Sequence, residues 1–455
     1  MRERVCLIVD NPLRDLDGLV LVAWQLAQRG VEAWLVPMYE QGFDVFAINP
    51  DLVLANYVRP NNLDLLHLYR RAGIRVGILD TEGAGGKSAD EFAGMVATSG
   101  GRQLVDLYCV WGDSQLEALQ RRHVLPDEVL SLTGCPRYDY CATPWRDALP
   151  APTEADGYIL VNTNFPVVNP RFSSGSGSEL RNMRQAGFDS DFAASYIRDA
   201  RTAHDGMLAL MAELLDRFPG QRFVLRPHPF ESAEAYASLA NYPNFQIRQE
   251  GTSLEWINRA KLLLHLNCST AVEAAMLGCE SVSPAWLNTP VLNVPGPHAV
   301  SSHAHDVDGI CAVISQLASS SDGHVVSEET SRIRGKVLRE VYHAIDGRAA
   351  DRVAESILKA LTVPAGRVSG GPSLRGVAVH LARRSLGYRV LVASRRRFMP
   401  PDLEKRRVAK QFSIEQVRAQ LDRIGLVDPK AARLSVELGM SPGRASGTSV
   451  RVCLP

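Results

Sequence analysis

Residues 5–36 read VCLIVDNPLRDLDGLVLVAWQLAQRGVEAWLV, and the order of apolar residues in this stretch decides the fold. A run that is apolar throughout (5–9) leads into an amphipathic segment of helical length (18–29) and then into a second strand-like run (32–36). Such runs belong to strands buried on both faces, the state of a strand in a parallel sheet covered by helices. The alternation continues with 52–55, a helical 61–72, then 74–79, 105–110, a helix near 114–122, and 129–133. This spacing predicts β-α-β units and one doubly wound domain over residues 1–150.

Residues 142–157 break the pattern with Thr-Pro-Trp, Leu-Pro-Ala-Pro and an acidic pair, the composition of a domain edge. The alternation then resumes: 158–161, a Ser/Gly-rich excursion at 173–178, a long helix over 192–217, a strand at 222–225, a helix from about 233, then 245–247, 254–259, 262–266, 270–277 and 281–283. Residues 338–361 read as one or two long amphipathic helices that complete a second domain, 151–362. The expected fold is α/β: two Rossmann-like doubly wound domains facing a cleft, with a basic extension at 363–455. Ligands of open parallel sheets bind at the carboxyl ends of the strands.

The chain of 455 residues is 45% hydrophobic and 22% charged, which excludes a disordered, collagenous or small disulfide-stapled protein. No apolar stretch approaches the roughly 18–20 residues of a membrane span. Met1-Arg2-Glu3-Arg4 runs straight into a strand and not into a secretory h-region, so a cytoplasmic location is expected. The eight Cys, at 6, 109, 135, 141, 268, 279, 311 and 453, form no C-x-x-C pair, and free thiols with no zinc site are expected. From Gly366 to Pro455 there are 18 Lys and Arg against 6 Asp and Glu, leaving 32 against 44 in the preceding residues. Arg383, Arg384, Arg389, Arg395, Arg396, Arg397, Lys405, Arg406 and Arg407, interleaved with apolar residues, suit the anionic inner face of the cytoplasmic membrane. The protein's own acidic body and RNA are the rival partners of this tail, with RNA ranked last and no nucleic acid expected.

Two motifs of the second domain carry chemistry. Val224-Leu225-Arg226-Pro227-His228-Pro229-Phe230 sets a cation and an imidazole just past a buried strand, among prolines that end it abruptly. Leu264 to Gly278 runs from a strand through Asn267, Cys268, Ser269 and Thr270 into a helix, and hydroxyls with open backbone N–H groups at a helix start make a phosphate seat. Glu273, one turn on, suits ribose hydroxyls or a capping box. In the first domain Asp80 and Glu82 follow a strand and precede glycines that let a ligand approach, so these carboxylates are the catalytic candidates; in turns such residues also occur as plain caps. Asp15 and Asp17 are acceptor-side candidates, Asp17 also suiting a helix N-cap, and Arg137 and Asp139 read as structural support.

The R-P-H-P segment, the run Glu250 to Ile257, the N-C-S-T-A-V-E-A-A run and Asn162-Thr163-Asn164-Phe165, with Asn11 to Gly18 and Thr133 to Asp139, resemble GT-B glycosyltransferases of the bacterial surface-carbohydrate biosynthesis type, a group that includes the retaining β-Kdo transferases. The resemblance spans about residues 5–300. It implies a nucleotide-sugar donor in the second domain, CMP-Kdo first with UDP- and CDP-linked donors as alternatives, and a glycan acceptor, free or lipid-linked, in the first. It further implies that Arg226 and His228 face the donor phosphate, that Asn267, Ser269 and Thr270 complete its seat, and that Asn162 and Asn164 line the same site. No metal and no cofactor is then required, since these donors stabilise the departing phosphate. The expected function is transfer of a sugar to a surface glycan; a nucleotide-sugar epimerase, a polyol-phosphate transferase and a non-catalytic partner in glycan assembly are the alternatives.

Three other patterns fail. Gly86-Lys87-Ser88 ends like a P-loop, but Thr81 stands where that motif needs Gly. The D-x-D matches at Asp15, Asp189 and Asp306 are unsurprising among 50 acidic residues, and His303 to Asp308 precedes a helix, where Asp caps. Gly175-Ser176-Gly177 lacks the strand-turn-helix setting of a hydrolase elbow.

Overall fold

The computed structural model describes residues 2–83, 88–152, 157–172, 178–185, 189–319, 328–363, 401–438 and 449–454. The chain divides into two compact units, Met1–Leu149 with Leu338–Pro455, and Pro150–Val337. Unit 1 opens with β1 (Arg4–Val9), α1 (Pro12–Gln28), β2 (Glu32–Pro37), α2 (Gln41–Ile48), β3 (Leu52–Ala55), α3 (Leu63–Arg71), β4 (Arg75–Leu79), α4 (Ala89–Thr98), β5 (Leu107–Val110), α5 (Asp113–Arg121) and β6 (Leu130–Leu132). Unit 2 contains β7 (Ile159–Asn162), α6 (Ser178–Gln185), α7 (Ser190–Arg217), β8 (Phe223–Arg226), β9 (Phe245–Ile247), α8 (Ser253–Ile257), β10 (Leu262–His265), α9 (Thr270–Leu277), β11 (Glu280–Pro284), α10 (Pro295–Val300), β12 (Ser302–Ala304) and α11 (Val307–Ser319). After α12 (Glu328–Tyr342), unit 1 resumes with α13 (Ala349–Thr362), α14 (Pro401–Ala409), α15 (Ile414–Val427), β13 (Ser435–Leu438) and β14 (Val450–Cys453).

Both units are doubly wound. In unit 1 the order is β13-β14-β2-β1-β3-β4-β5-β6, with β1 to β6 parallel and the last two strands antiparallel. The chain moves from β1 to β2 on one side and to β3 on the other, so the connections after β1 and β3 diverge and open a crevice at their carboxyl ends. In unit 2 the order β12-β11-β10-β7-β8-β9 is parallel throughout, with the same divergence between β7 and β10. Its core is built by α7, where Ala200, Ala203, Met207, Leu210 and Leu214 recur every three or four residues and pack against Ile159, Val161, Leu225 and Leu264. Asp189 caps that helix through the N–H groups of Asp191 (2.8 Å) and Phe192 (3.1 Å).

Helix α1 begins earlier than the apolar pattern indicates. Asn11 caps it by accepting from Leu13 N (3.1 Å), and Pro12 takes the first turn, where its missing N–H costs nothing. Gly18 therefore lies inside the helix. A Cβ there would stand 2.6 Å from the backbone nitrogen of Arg137, so glycine lets α1 and the 136–137 segment touch. Asp17 is likewise inside the helix and not its N-cap.

The C-terminal part of the chain departs from the expected layout. Residues 349–362, assigned by the sequence to the second domain, pack in unit 1, where buried Asp139 accepts from the N–H groups of Ala349 and Ala350 (both 2.8 Å) at the start of α13. Within the basic extension, 401–438 and 449–454 are folded onto unit 1: β14 adds to the edge of β2, Arg407 pairs with Glu40 (3.0 Å), Lys410 with Asp10, Arg423 with Asp17 (3.9 Å) and Arg451 with Glu32 (2.7 Å). The intramolecular alternative thus holds for these residues. Arg383, Arg384, Arg389 and Arg395 to Arg397 lie outside the described residues, as do Gly86, Lys87 and Gly175 to Gly177. Among the described residues no helix is long and apolar enough to cross a membrane. The eight cysteines are free thiols, and all except half-buried Cys311 are buried.

Asp139→Ala strands two buried helix N–H groups that now share a carboxylate, and it is expected to lower unfolding free energy by about 2–3 kcal/mol, read by urea denaturation followed by circular dichroism.

Candidate functional site

In unit 2 the last residues of three strands form a row. Asn162 of β7 stands in register with Arg226 of β8 on one side and His265 of β10 on the other. Parallel neighbours in register share a face, so a polar strip replaces the Val/Ile/Leu surface where the strands end. Asn162 Nδ2 donates to Thr270 Oγ1 (2.9 Å), joining the end of β7 to the start of α9. Ser269 precedes that helix, exposed, and its side chain accepts no capping bond. Neither the cap nor the capping box considered for these residues is formed, and the Ser269 hydroxyl stands at the positive end of the helix. Glu273 is buried and accepts from Ser253 Oγ (2.5 Å) of α8.

The R-P-H-P turn is held by a residue that carries no signal in the sequence. Glu231 is fully buried and accepts from Thr163 Oγ1 (3.0 Å), Phe165 N (3.1 Å), His228 N (3.3 Å), Asn169 Nδ2 (3.4 Å) and the Tyr236 hydroxyl. One carboxylate thereby ties the loop after β7, which contains Asn164, to the loop after β8. His228 Nδ1 accepts from Phe230 N (3.2 Å), which places the proton of the neutral ring on Nε2 and makes that atom a donor. Arg226 differs from its expected role. Its guanidinium donates to the carbonyls of Glu250 and Gly251 (2.9 Å to the latter) and stacks on Trp256 at 5.2 Å, so it braces the 250–251 loop. Burial drives its pKa down to about 10 against the nearby carboxylates of Glu255 and Glu250.

In unit 1 a crevice of about 390 Å³, open to solvent, lies where the connections after β1 and β3 diverge. Asp15, Gly18, Asp80, Thr81, Trp111 and Arg137 line it among apolar residues. Asp80 ends β4. It is 5% exposed, accepts from Glu82 N (2.9 Å) and stands 3.6 Å from Arg59. Burial raises its pKa to about 6, against the opposing pull of the Glu82 N–H and Arg59. Glu82 is exposed and pairs with Arg59 (3.1 Å). The two carboxylates are thus unlike: Asp80 is buried in the crevice and titrates near neutrality, while Glu82 anchors Arg59 outside it. Gly83 makes room for a side chain of the protein, since a Cβ there would meet the Trp111 ring at 2.7 Å. Arg137 lies over Trp111 (5.5 Å) and Tyr138 (4.6 Å).

The acceptor-side candidates separate. Asp15 faces the crevice and accepts from Asn11 N (3.0 Å) and Arg14 Nε (2.8 Å). Asp17 turns to the C-terminal helix α15, where Gln420 donates to it and Arg423 stands 3.9 Å away, so it is a strut of the fold. Asp306 caps α11, accepting from Gly309 N (2.8 Å).

No protein-family model and no curated protein sequence matches this chain. Solved structures do. A UDP co-structure of MnaA from S. aureus is similar at 10% identity and a TM-score of 0.50, covering 82% of this chain and 99% of that one. A UDP-GlcNAc 2-epimerase from Neisseria meningitidis bound to UDP-GlcNAc is similar at 12% identity and a TM-score of 0.47, over 78% of this chain and 100% of the other. A variant of the wall teichoic acid polymerase TagF follows at 11% identity and 0.47, over 79% and 89%. The likeness to the S. aureus structure is one of fold: two Rossmann-type domains of the GT-B kind.

Proposed function

We propose that the chain is an enzyme acting on a nucleotide sugar, with the nucleotide held by unit 2 and acid-base chemistry supplied by unit 1. The observation that carries this is the convergence at the β7/β10 divergence of unit 2. Hydrogen bonds run from Thr270 to Asn162, and from the next residue, Thr163, through Glu231 to His228, so the start of α9 and the R-P-H-P turn belong to one braced surface. Its donors, the Ser269 hydroxyl, the first N–H groups of α9 and His228 Nε2, suit a phosphate.

As a transferase, the protein breaks the bond between the anomeric carbon and the phosphate oxygen and forms one to an acceptor hydroxyl. The electron pair leaves with the phosphate, where the unit 2 donors stabilise the growing charge. Asp80, whose pKa of about 6 leaves it mostly ionised at neutral pH, takes the acceptor proton. CMP-Kdo is the first donor to test, on the motif resemblance, and a surface glycan or lipid-linked glycan is the acceptor class. UDP is the second nucleotide to test, because the S. aureus structure of the same fold is a UDP complex. Incubation with CMP-, UDP- and CDP-sugars, followed by NMR, is expected to show donor consumption only with acceptor present; consumption of donor alone identifies an epimerase, and neither binding nor turnover of any donor overturns the proposal.

Asp80→Asn keeps an acceptor for Glu82 N but loses the base, and kcat is expected to fall by about 10²–10⁴-fold; the wild-type rate should rise with pH through about 6. Stability should move the other way. The Asp80 pKa is higher in the folded chain, near 6, than in the unfolded one, 3.8, so the native state binds the extra proton and wild type loses stability as pH rises through that window. The Asn variant escapes this loss and should exceed wild type by up to about 3 kcal/mol at pH 7, with the advantage gone below about pH 3, as measured by denaturant titration at each pH.

Ser269→Ala and His228→Ala each remove one phosphate donor while leaving the Glu231 network in place. Each is expected to weaken nucleotide binding about tenfold by calorimetry, with the melting temperature of the free protein unchanged for Ser269→Ala and lowered for His228→Ala, which also removes the acceptor of the Phe230 N–H.

A further inference from the structure

The start of α9 offers donors, yet two side chains beside it offer acceptors that no described residue uses. Asn267 is 7% exposed, and its Nδ2 donates to the carbonyl of Leu292 (2.8 Å), which fixes the amide with Oδ1 on the opposite side. Asn162 is 4% exposed, and its Nδ2 is engaged by Thr270 Oγ1 (2.9 Å). Among the described residues neither Oδ1 has a hydrogen-bond partner, although both atoms are buried. A buried acceptor without a donor costs stability, and two such atoms at the divergence of a parallel sheet, where ligands of this architecture bind, mark a site shaped for something that donates.

A phosphate does not answer that description. It presents oxygens that accept hydrogen bonds, and amide oxygens turned toward it would repel it. The expected assignment of Asn267 to the phosphate seat therefore conflicts with the direction in which its amide is held. Sugar hydroxyls donate.

We propose that Asn162 and Asn267 are specificity residues whose side-chain oxygens accept hydrogen bonds from the hydroxyls of the bound nucleotide sugar, next to the phosphate seat at the start of α9. This rests on the nucleotide-sugar reading of unit 2 and names the chemistry that reading leaves open. The hydroxyls belong either to the ribose or to the attached sugar, and both present the same O–H donors. A site that hydrogen-bonds a hydroxyl rejects an analogue lacking it strongly, because its polar groups are then left unpaired.

The test uses the full chain and calorimetry with UDP, 2′,3′-dideoxy-UDP, UDP-GlcNAc and CMP, on wild type, Asn267→Leu and Asn162→Leu. Loss of at least tenfold in wild-type affinity from UDP to its dideoxy form, with the gap closed in either Leu variant, supports the proposal and assigns the ribose. Equal binding of those two with at least tenfold tighter binding of UDP-GlcNAc than of UDP, again with the gap closed in a variant, supports it and assigns the attached sugar. Discrimination that persists in both variants, or UDP binding with no discrimination at all, overturns the proposal and leaves the nucleotide site standing. Binding of neither UDP, UDP-GlcNAc nor CMP removes the nucleotide site and this proposal with it. The wild-type comparison needs no variant, so an absence of discrimination overturns the proposal even where a Leu chain fails to fold.

Discussion

The buried carboxylate of Glu231 is the constraint on which the loops at the carboxyl ends of β7 and β8 depend. A carboxylate with no access to water must find its donors in the protein, and this one draws them from Thr163, Phe165 and Asn169 on one loop, and from His228 and Tyr236 on another. Because every donor lies on a different part of the two connections, the loops after β7 and β8 have one mutual arrangement that satisfies the charge. His228 inherits its orientation from that arrangement, and its tautomer from the Phe230 N–H. The imidazole is held ready by bonds that involve no ligand, and such prior organisation is what makes fixed donors effective toward developing charge.

The carboxylate at the corresponding place in unit 1 is treated differently. Asp80 receives one backbone N–H and a guanidinium at 3.6 Å, too little to offset its burial, and so its affinity for a proton rises. One acid is saturated with partners and acts as a brace; the other is left short of partners and holds its proton more tightly. The number of donors within reach sets the difference, since both residues follow the carboxyl end of a parallel strand.

The sheets were legible because strands buried on both faces leave an unbroken apolar record. Residues 52–55, 245–247 and 270–277 were bounded correctly as two strands and a helix. The apolar pattern starts helix α1 six residues late, at Gly18, because the first turn after the Asn11 cap is polar, and the small size of Gly18 serves contact with Arg137. The motif resemblance sets Asn162 and Thr270 in one site, and the structure joins these two by a hydrogen bond. Glu231 is invisible in the sequence because a carboxylate five residues past a strand looks solvated until the loop from β7 is seen to bond it. The final strands were missed for a related reason: β14 pairs with β2 across some 400 residues of chain, and local periodicity holds no information about pairing at that separation. The cationic tail reads as suited to an anionic membrane, with the protein's own acidic body as a rival partner, and Asp10, Asp17, Glu32 and Glu40 of that body pair with four of its cations.

That distant pairing bears on how the molecule is made. During synthesis β2 emerges early, and its outer edge stays without a neighbour until Val450–Cys453 leave the ribosome. At about 5–20 residues per second the delay is roughly twenty to eighty seconds, during which unit 2, continuous in sequence, has time to fold by itself. Glu32, a charge on the waiting edge, and Pro37, which lacks an N–H to offer, are residues of the kind that keep a bare strand from joining its counterpart on a neighbouring nascent chain.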